Sequence, residues 1–173
     1  MQVNREAAHA QPKKHAVAWL RHRGITNDVI KAFGLTWTTN SPIGEAIVIP
    51  VHHPDGSFFF NKYRRNPLDD SKPKYVYDKG GRTSLYGLHH LAEQEKTIVI
   101  TEGEMDTLVC HSLNIPAVSS TGGAQSFQEE FAKDLRYKSL DIVICYDNDD
   151  AGAKGIVKTL KHIPDARVLF IPE

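Results

Sequence analysis

The residues with the clearest chemical potential are acidic. In "ICYDNDDAGAKG", residues 144–155, Asp147, Asp149 and Asp150 follow the apolar run Ile142-Val143-Ile144 and precede Ala151-Gly152. Like charges this close repel, and each carboxylate drawn from water needs a cation or hydrogen-bond donors to offset the cost. A second acidic motif, "TEGEMD", puts Glu102 at the end of an apolar strand, Gly103 where a tight turn is needed, and Asp106 one helical turn later. In an extended segment Asp147 and Asp149 project from one face, because side chains alternate with period two. Several hard oxygen ligands with no His or Cys beside them select Mg²⁺ or Mn²⁺. Mg²⁺ keeps waters and takes phosphate oxygens from its substrate, so the chemistry indicated is phosphoryl transfer.

Simpler uses of the same residues account for only part of the set. Asp149 or Asp150 can N-cap the following helix, and Glu104 and Asp106 suit a helix N-terminus through the dipole. Capping is assigned here to Asp150 and Glu104; it leaves Glu102 and Asp147, which precede the caps, unexplained. A calcium loop starting at Asp147 would need Glu at its twelfth position, where Lys158 stands. "STGGAQ" lacks the Gly-Lys-Ser/Thr ending of a phosphate-binding P-loop. Cys110 and Cys145 form no CxxC pair, so neither a disulfide framework nor a zinc ribbon is supported. His52-His53 and His89-His90 show no ligand spacing tied to a carboxylate and are expected to be surface or structural.

Placing these carboxylates requires a particular architecture. From Lys96 onward strands and helices alternate: "TIVIT", then a helix over 104–113; "AVSS", then a helix over 126–137; "DIVICY", then a helix over 151–162; and a closing strand "ARVLFI". The strands are continuous apolar runs, as expected of a parallel sheet covered on both faces. Inward stripes are Met105, Leu108 and Val109; Phe127, Phe131 and Leu135; and Ile156, Val157 and Leu160. In such a sheet the strands' carboxyl ends open on one edge, where ligands bind, so neighbouring strands would bring Glu102 and Asp147/Asp149 together.

The first half reads differently. "PKKHAVAWLRHRG" predicts a helix with Val17, Trp19 and Leu20 inward, closed by Gly24. Thr26 can cap a second helix, "NDVIKAF", ending at Gly34. "AIVIPVHH" and "SFFFNKYRR" flank Pro54-Asp55-Gly56 and predict a hairpin, "KYVYD" a short strand, and "SLYGLHHLAEQE" a helix. The expected domains are therefore 1–95 and 96–173.

The formal net charge is zero, yet residues 1–92 hold 13 basic and 7 acidic side chains against 8 and 14 in residues 93–173. A basic part and an acidic part suit a metal site that handles polynucleotides. Lys62, Arg64, Arg65, Lys72, Lys74, Lys79 and Arg82 interleave with Phe58, Phe59, Phe60, Tyr63, Tyr75 and Tyr77. Cations neutralise phosphates and aromatic faces stack unpaired bases, although alternate aromatics of a hairpin belong to its core. No apolar run approaches a membrane span and "MQVNREAAHAQPKKH" does not read as a signal peptide, so a cytoplasmic protein without membrane contact is expected.

Glu102-Gly103-x-x-Asp106 followed by Asp147-x-Asp149-x-Ala151-Gly152 resembles the Toprim domain. That domain is shared by bacterial-type (DnaG-like) primases, type IA and II topoisomerases, recombination-mediator proteins and overcoming-lysogenisation-type nucleases. Within it, "GITNDVIKAFGL", "IVIPVHHPDGSFFFNKYRR" and "KPKYVYDKGGRTSLYGL" resemble the primase catalytic core, and "EGEMD" is also close to the phage and mitochondrial-type primase–helicases. By this resemblance Lys74 and Tyr75 match the template- or nucleotide-contacting pair, and Arg64 or Arg65 the hairpin arginine. The family's further lysine falls on Gly81, with Lys79 or Arg82 as substitutes.

The resemblance implies an α/β fold: a Toprim domain, with a four-stranded parallel sheet flanked by helices, behind a smaller basic α+β subdomain. It implies a primase core that uses Mg²⁺ or Mn²⁺ to join nucleoside triphosphates into short RNA primers on single-stranded DNA, with a replicative helicase as partner, in cis or in trans. Glu102 would ligate metal or deprotonate the attacking 3′-hydroxyl; Asp147 and Asp149 would hold metal, supported by Asp106. Lys62, Arg64, Arg65, Lys72, Lys74, Tyr75, Lys79 and Arg82 would contact nucleotide or DNA. The alternatives are a Toprim nuclease and a non-catalytic primase-like module that binds DNA or a helicase.

Overall fold

The computed structural model describes residues 5–139 and 141–171, with side chains of the first helix described from Lys14 onward. The N-terminal stretch read as lacking a signal sequence begins outside those residues. The chain divides into two compact units, Met1–Pro50 with Phe59–Gly81, and Val51–Phe58 with Arg82–Glu173. No helix among the described residues is long and apolar enough to cross a membrane.

In the first unit α1 (Arg5–His22) stops at Gly24, whose φ of +89° few other residues tolerate. α2 (Asn27–Ala32) is capped as its sequence predicts, Thr26 Oγ1 accepting the Val29 N–H. The sheet runs β1 (Thr36–Ser41), β2 (Gly44–His52), β3 (Phe58–Arg65), β4 (Tyr75–Tyr77) in that order. The β2–β3 turn, which lies in the second unit's Val51–Phe58 segment, is set by Asp55, whose Oδ1 accepts from Ser57 N and Oγ, and by Gly56 at φ +83°. Ala16, Leu20, Ile25, Phe33, Leu35, Ile47 and Ile49 bury the unit's apolar surface. β1 is not among the strands expected from the sequence: "TWTTNS" is polar and half-exposed, with little alternation to signal it.

The second unit holds a five-stranded sheet in the order β5-β7-β6-β8-β9. β6 (Ile98–Thr101), β7 (Ala117–Ser120), β8 (Ile142–Cys145) and β9 (Arg167–Val168) are parallel, and α3 (Glu104–Ser112), α4 (Glu129–Lys138) and α5 (Asp150–His162) connect them. Ile98, Ile100, Leu108, Val118, Phe127, Leu135, Ile142, Ile144 and Ile163 are all but fully buried. The expected four parallel strands are present, with an antiparallel fifth beside them. That fifth strand, β5 (Leu85–Tyr86), and a 3-10 turn at Leu88–His90 replace the helix expected over 84–95. Gly87 is the cause. It takes φ +86°, and a Cβ there would stand 3.0 Å from the Ala117 carbonyl oxygen, so the chain turns where a helix would have continued. Two smaller expectations also fail. β9 is two residues long, leaving Leu169, Phe170 and Ile171 exposed, and Val157 faces solvent while Ile156 of the same expected stripe is buried.

Candidate carboxylate site and polyanion-binding face

β6 and β8 are adjacent and in parallel register, Thr101 opposite Cys145, so the residues after them leave the sheet side by side. Glu102 and Asp147 thus meet at the carboxyl edge, the Asp147 N–H pointing to Glu102 Oε2 at 3.3 Å. Glu102 is half-buried. Burial first, then the charges of Asp147, Asp149 and Asp106, push its carboxyl above the ordinary range, and the Asp147 N–H pulls the other way. All four predicted carboxylates therefore lie within one electrostatic neighbourhood.

Asp147 and Asp149 are exposed. The capping role given to Asp150 belongs to Asp149, whose Oδ1 accepts the Gly152 N–H at 2.7 Å. Asp150 is the first helical residue. One Asp149 oxygen is committed to α5, which leaves the second for a cation. Gly152 has a steric reason: a Cβ there would stand 2.0 Å from the Asp147 carbonyl oxygen. At α3 the N-cap is Gly103, and Glu104 and Asp106 occupy the first turn, where the dipole favours them. Glu104 is buried, and its charge adds to burial in holding the Tyr86 hydroxyl well above its usual range. Cys110 and Cys145 are closer in space than in sequence. Burial, with each other's or nearby acidic charge, raises Cys110 to about 11 and Cys145 above its usual range, so both thiols stay protonated and inert at neutral pH.

The donor set is oxygen only, which suits a hard divalent cation. No three His, Cys, Asp or Glu side chains among the described residues form a ready ligand cage. Carboxylates of like charge relieve repulsion by standing apart, and Mg²⁺ needs only one or two of them beside waters and substrate phosphates. Asp147 with Glu102 or the second Asp149 oxygen meets that requirement.

The predicted basic residues have different fates. Lys62 is 6 % exposed, its ammonium 4.8 Å and 5.6 Å from the ring centroids of Tyr75 and Tyr77. It holds those rings in place instead of facing an open surface. Arg65 is spent on the chain itself, donating to Pro73 O, Ile43 O and Asp69 Oδ2 and so fastening the loop between β3 and β4. Of the two candidate arginines Arg64 remains, half-buried against Tyr75. Lys72, Lys74 and Lys79 are exposed; Arg82, also exposed, belongs to the second unit.

The histidines form a cluster that spacing does not reveal, because β2, the 3-10 turn and α3 each contribute. His52–His89, His89–His90 and His90–His111 ring centroids lie 4.5, 4.0 and 6.2 Å apart. Burial, then the neighbouring imidazoles, depress His89 and His90 to about 4, so the cluster packs as neutral rings.

Residues 99–172 match the Toprim-like family. The gene 57 protein of Mycobacterium phage D29 is 37% identical over 116 residues, which cover 65% of this chain and 71% of that protein. The DNA primase of Clostridium acetobutylicum is 27% identical over 177 residues, covering 92% of this chain and 29% of the primase, so the chain spans under a third of that relative's length. The DnaG primase catalytic domain bound to single-stranded DNA superimposes with a TM-score of 0.74 at 22% identity, over 94% of this chain and 65% of the domain.

Proposed function

Because the chain belongs to the Toprim family of DnaG-like primase cores, we propose that it carries out the bond-forming step of primer synthesis in DNA replication. The reaction joins ribonucleotides on a single-stranded DNA template, in the cytoplasm, with a replicative helicase in cis or in trans. The observation that carries this reading is the shared field of Glu102, Asp106, Asp147 and Asp149 at the ends of two adjacent parallel strands. Mg²⁺ or Mn²⁺, held by Asp147 and the second Asp149 oxygen with Asp106 in support, would supply charge to neutralise the triphosphate. Glu102, with its raised carboxyl, either completes that ligand set or takes the proton of the attacking 3′-hydroxyl at Oε2. In the first unit, Lys74 and Arg64 supply cations for phosphate, Tyr75 a ring beside them, and Lys72 and Lys79 further exposed charge; Arg82 does so from the second unit. The DnaG domain whose fold this chain shares binds single-stranded DNA.

A Toprim nuclease would use the same carboxylates, and a binding module would use only the cations. Supplying a primed template, ribonucleoside triphosphates and Mn²⁺ separates the three. Extension by ribonucleotides, lost in Glu102→Gln, is the expected result. Cleavage of DNA without incorporation would identify a nuclease, and binding with neither reaction a non-catalytic module.

A further inference from the structure

The sequence puts Trp19 on the inward stripe of α1, but the indole is half-buried and carries two guanidinium groups. Arg64 Cζ lies 4.9 Å from its ring centroid and Arg23 Cζ 5.3 Å. Arg23 follows Trp19 by one turn, its N–H on the Trp19 carbonyl, so the two share a helix face. Arg64 comes from β3, where the register pairs it with Tyr75 of β4, and its Cζ lies 5.4 Å from that ring. One terminal nitrogen of Arg64 also donates to the Arg65 carbonyl at 2.6 Å. Two rings and a carbonyl thus fix the guanidinium. Among the described residues Arg64 makes no ion pair.

A guanidinium has five N–H donors in its plane, and among the described residues one of these is used. Rings on its faces leave the edge donors for an anion with two oxygens, which is how arginine meets phosphate. We infer that Trp19 is a positioning residue for polynucleotide binding: with Tyr75 it clamps Arg64 so that the guanidinium edge meets a backbone phosphate of a single strand. The inference rests on the nucleic-acid reading of the Lys74–Tyr75 face. It adds α1, which no motif pointed to, and explains why Arg64 and not Arg65 serves as the hairpin arginine. An arginine already ordered by its rings loses less freedom on binding than a solvated one.

The test is fluorescence anisotropy of a labelled oligothymidylate titrated with the full chain across a series of salt concentrations. The proteins are wild type, Trp19→Leu, Trp19→Phe, Arg64→Ala and the Trp19→Leu/Arg64→Ala double variant, each checked for an unchanged circular dichroism spectrum. Trp19→Leu should weaken binding about five-fold, the scale of one cation–π contact. Its salt slope should fall toward that of Arg64→Ala, and Trp19→Phe, which keeps a ring, should restore both. In the double variant the Trp19 change should add nothing. Trp19→Leu binding like wild type while Arg64→Ala is weakened would overturn the clamp alone, as would additive losses in the double variant. A wild-type chain that does not bind the strand would overturn the nucleic-acid reading and the clamp with it.

Discussion

The two units keep their charges in opposite ways. In the second, burial and the charges of Asp147, Asp149 and Asp106 push the Glu102 carboxyl above its ordinary range, while the Asp147 N–H points to Glu102 and the Gly152 N–H to Asp149. In the first, Arg64 sits against the faces of Trp19 and Tyr75, which attract a cation without cancelling its charge. Arg65 is instead neutralised by the Asp69 carboxylate, and it holds a loop. The difference teaches how to tell a binding charge from a structural one. Charges that maintain the fold are matched inside the chain, whereas charges kept for a ligand are oriented and left with capacity.

The largest effect should come from the acidic edge. Asp147→Ala and Glu102→Gln should each lower ribonucleotide incorporation by about 100-fold or more while the circular dichroism spectrum is kept. A variant with near wild-type turnover would break the assignment of that edge. Next is Gly152→Ala, whose Cβ would meet the Asp147 carbonyl oxygen and force α5 away. Denaturant melts should show a loss of about 3 kcal/mol, at the upper end for overpacking.

In the first unit the two neighbouring arginines should part company. Arg65→Ala removes donors to two carbonyls and Asp69 and should cost about 1–3 kcal/mol of stability. Arg64→Ala should cost less stability but lower the salt slope of single-strand binding by about 0.7. Equal effects from both would erase the distinction between matched and available charge. The smallest effect concerns Glu102 and pH. Its folded carboxyl is raised above the ordinary 4.5, so the folded state binds the proton more tightly and ionisation at neutral pH works against stability. Metal-free Glu102→Gln should therefore melt slightly higher than wild type at pH 7. The gain should vanish below pH 4.5, where Glu102 is protonated in both states.

Much of this was legible in the chain because burial leaves plain marks. Fully buried parallel strands read as unbroken apolar runs, so β6, β7 and β8 and their helices fall where alternation puts them. Convergence of Glu102 with Asp147 follows from strand ends sharing an edge. β5 was hidden because its two residues precede a stretch of helix formers, and only Gly87, whose φ a sequence does not display, prevents the helix. The fates of Lys62, Arg64 and Arg65 were hidden for another reason. Alternation assigns a residue to a face, but Ile43, Asp69 and Trp19 decide what the side chain meets, and they arrive from other elements.

Crystals soaked in Mn²⁺ and measured for anomalous scattering test most directly whether the acidic edge is a divalent-cation site. The expected peak lies beside Asp147 within ligand distance of Glu102 or Asp149, and it should disappear in Asp147→Ala. A peak confined to the His52–His89–His90 cluster, with nothing at Asp147, would contradict it.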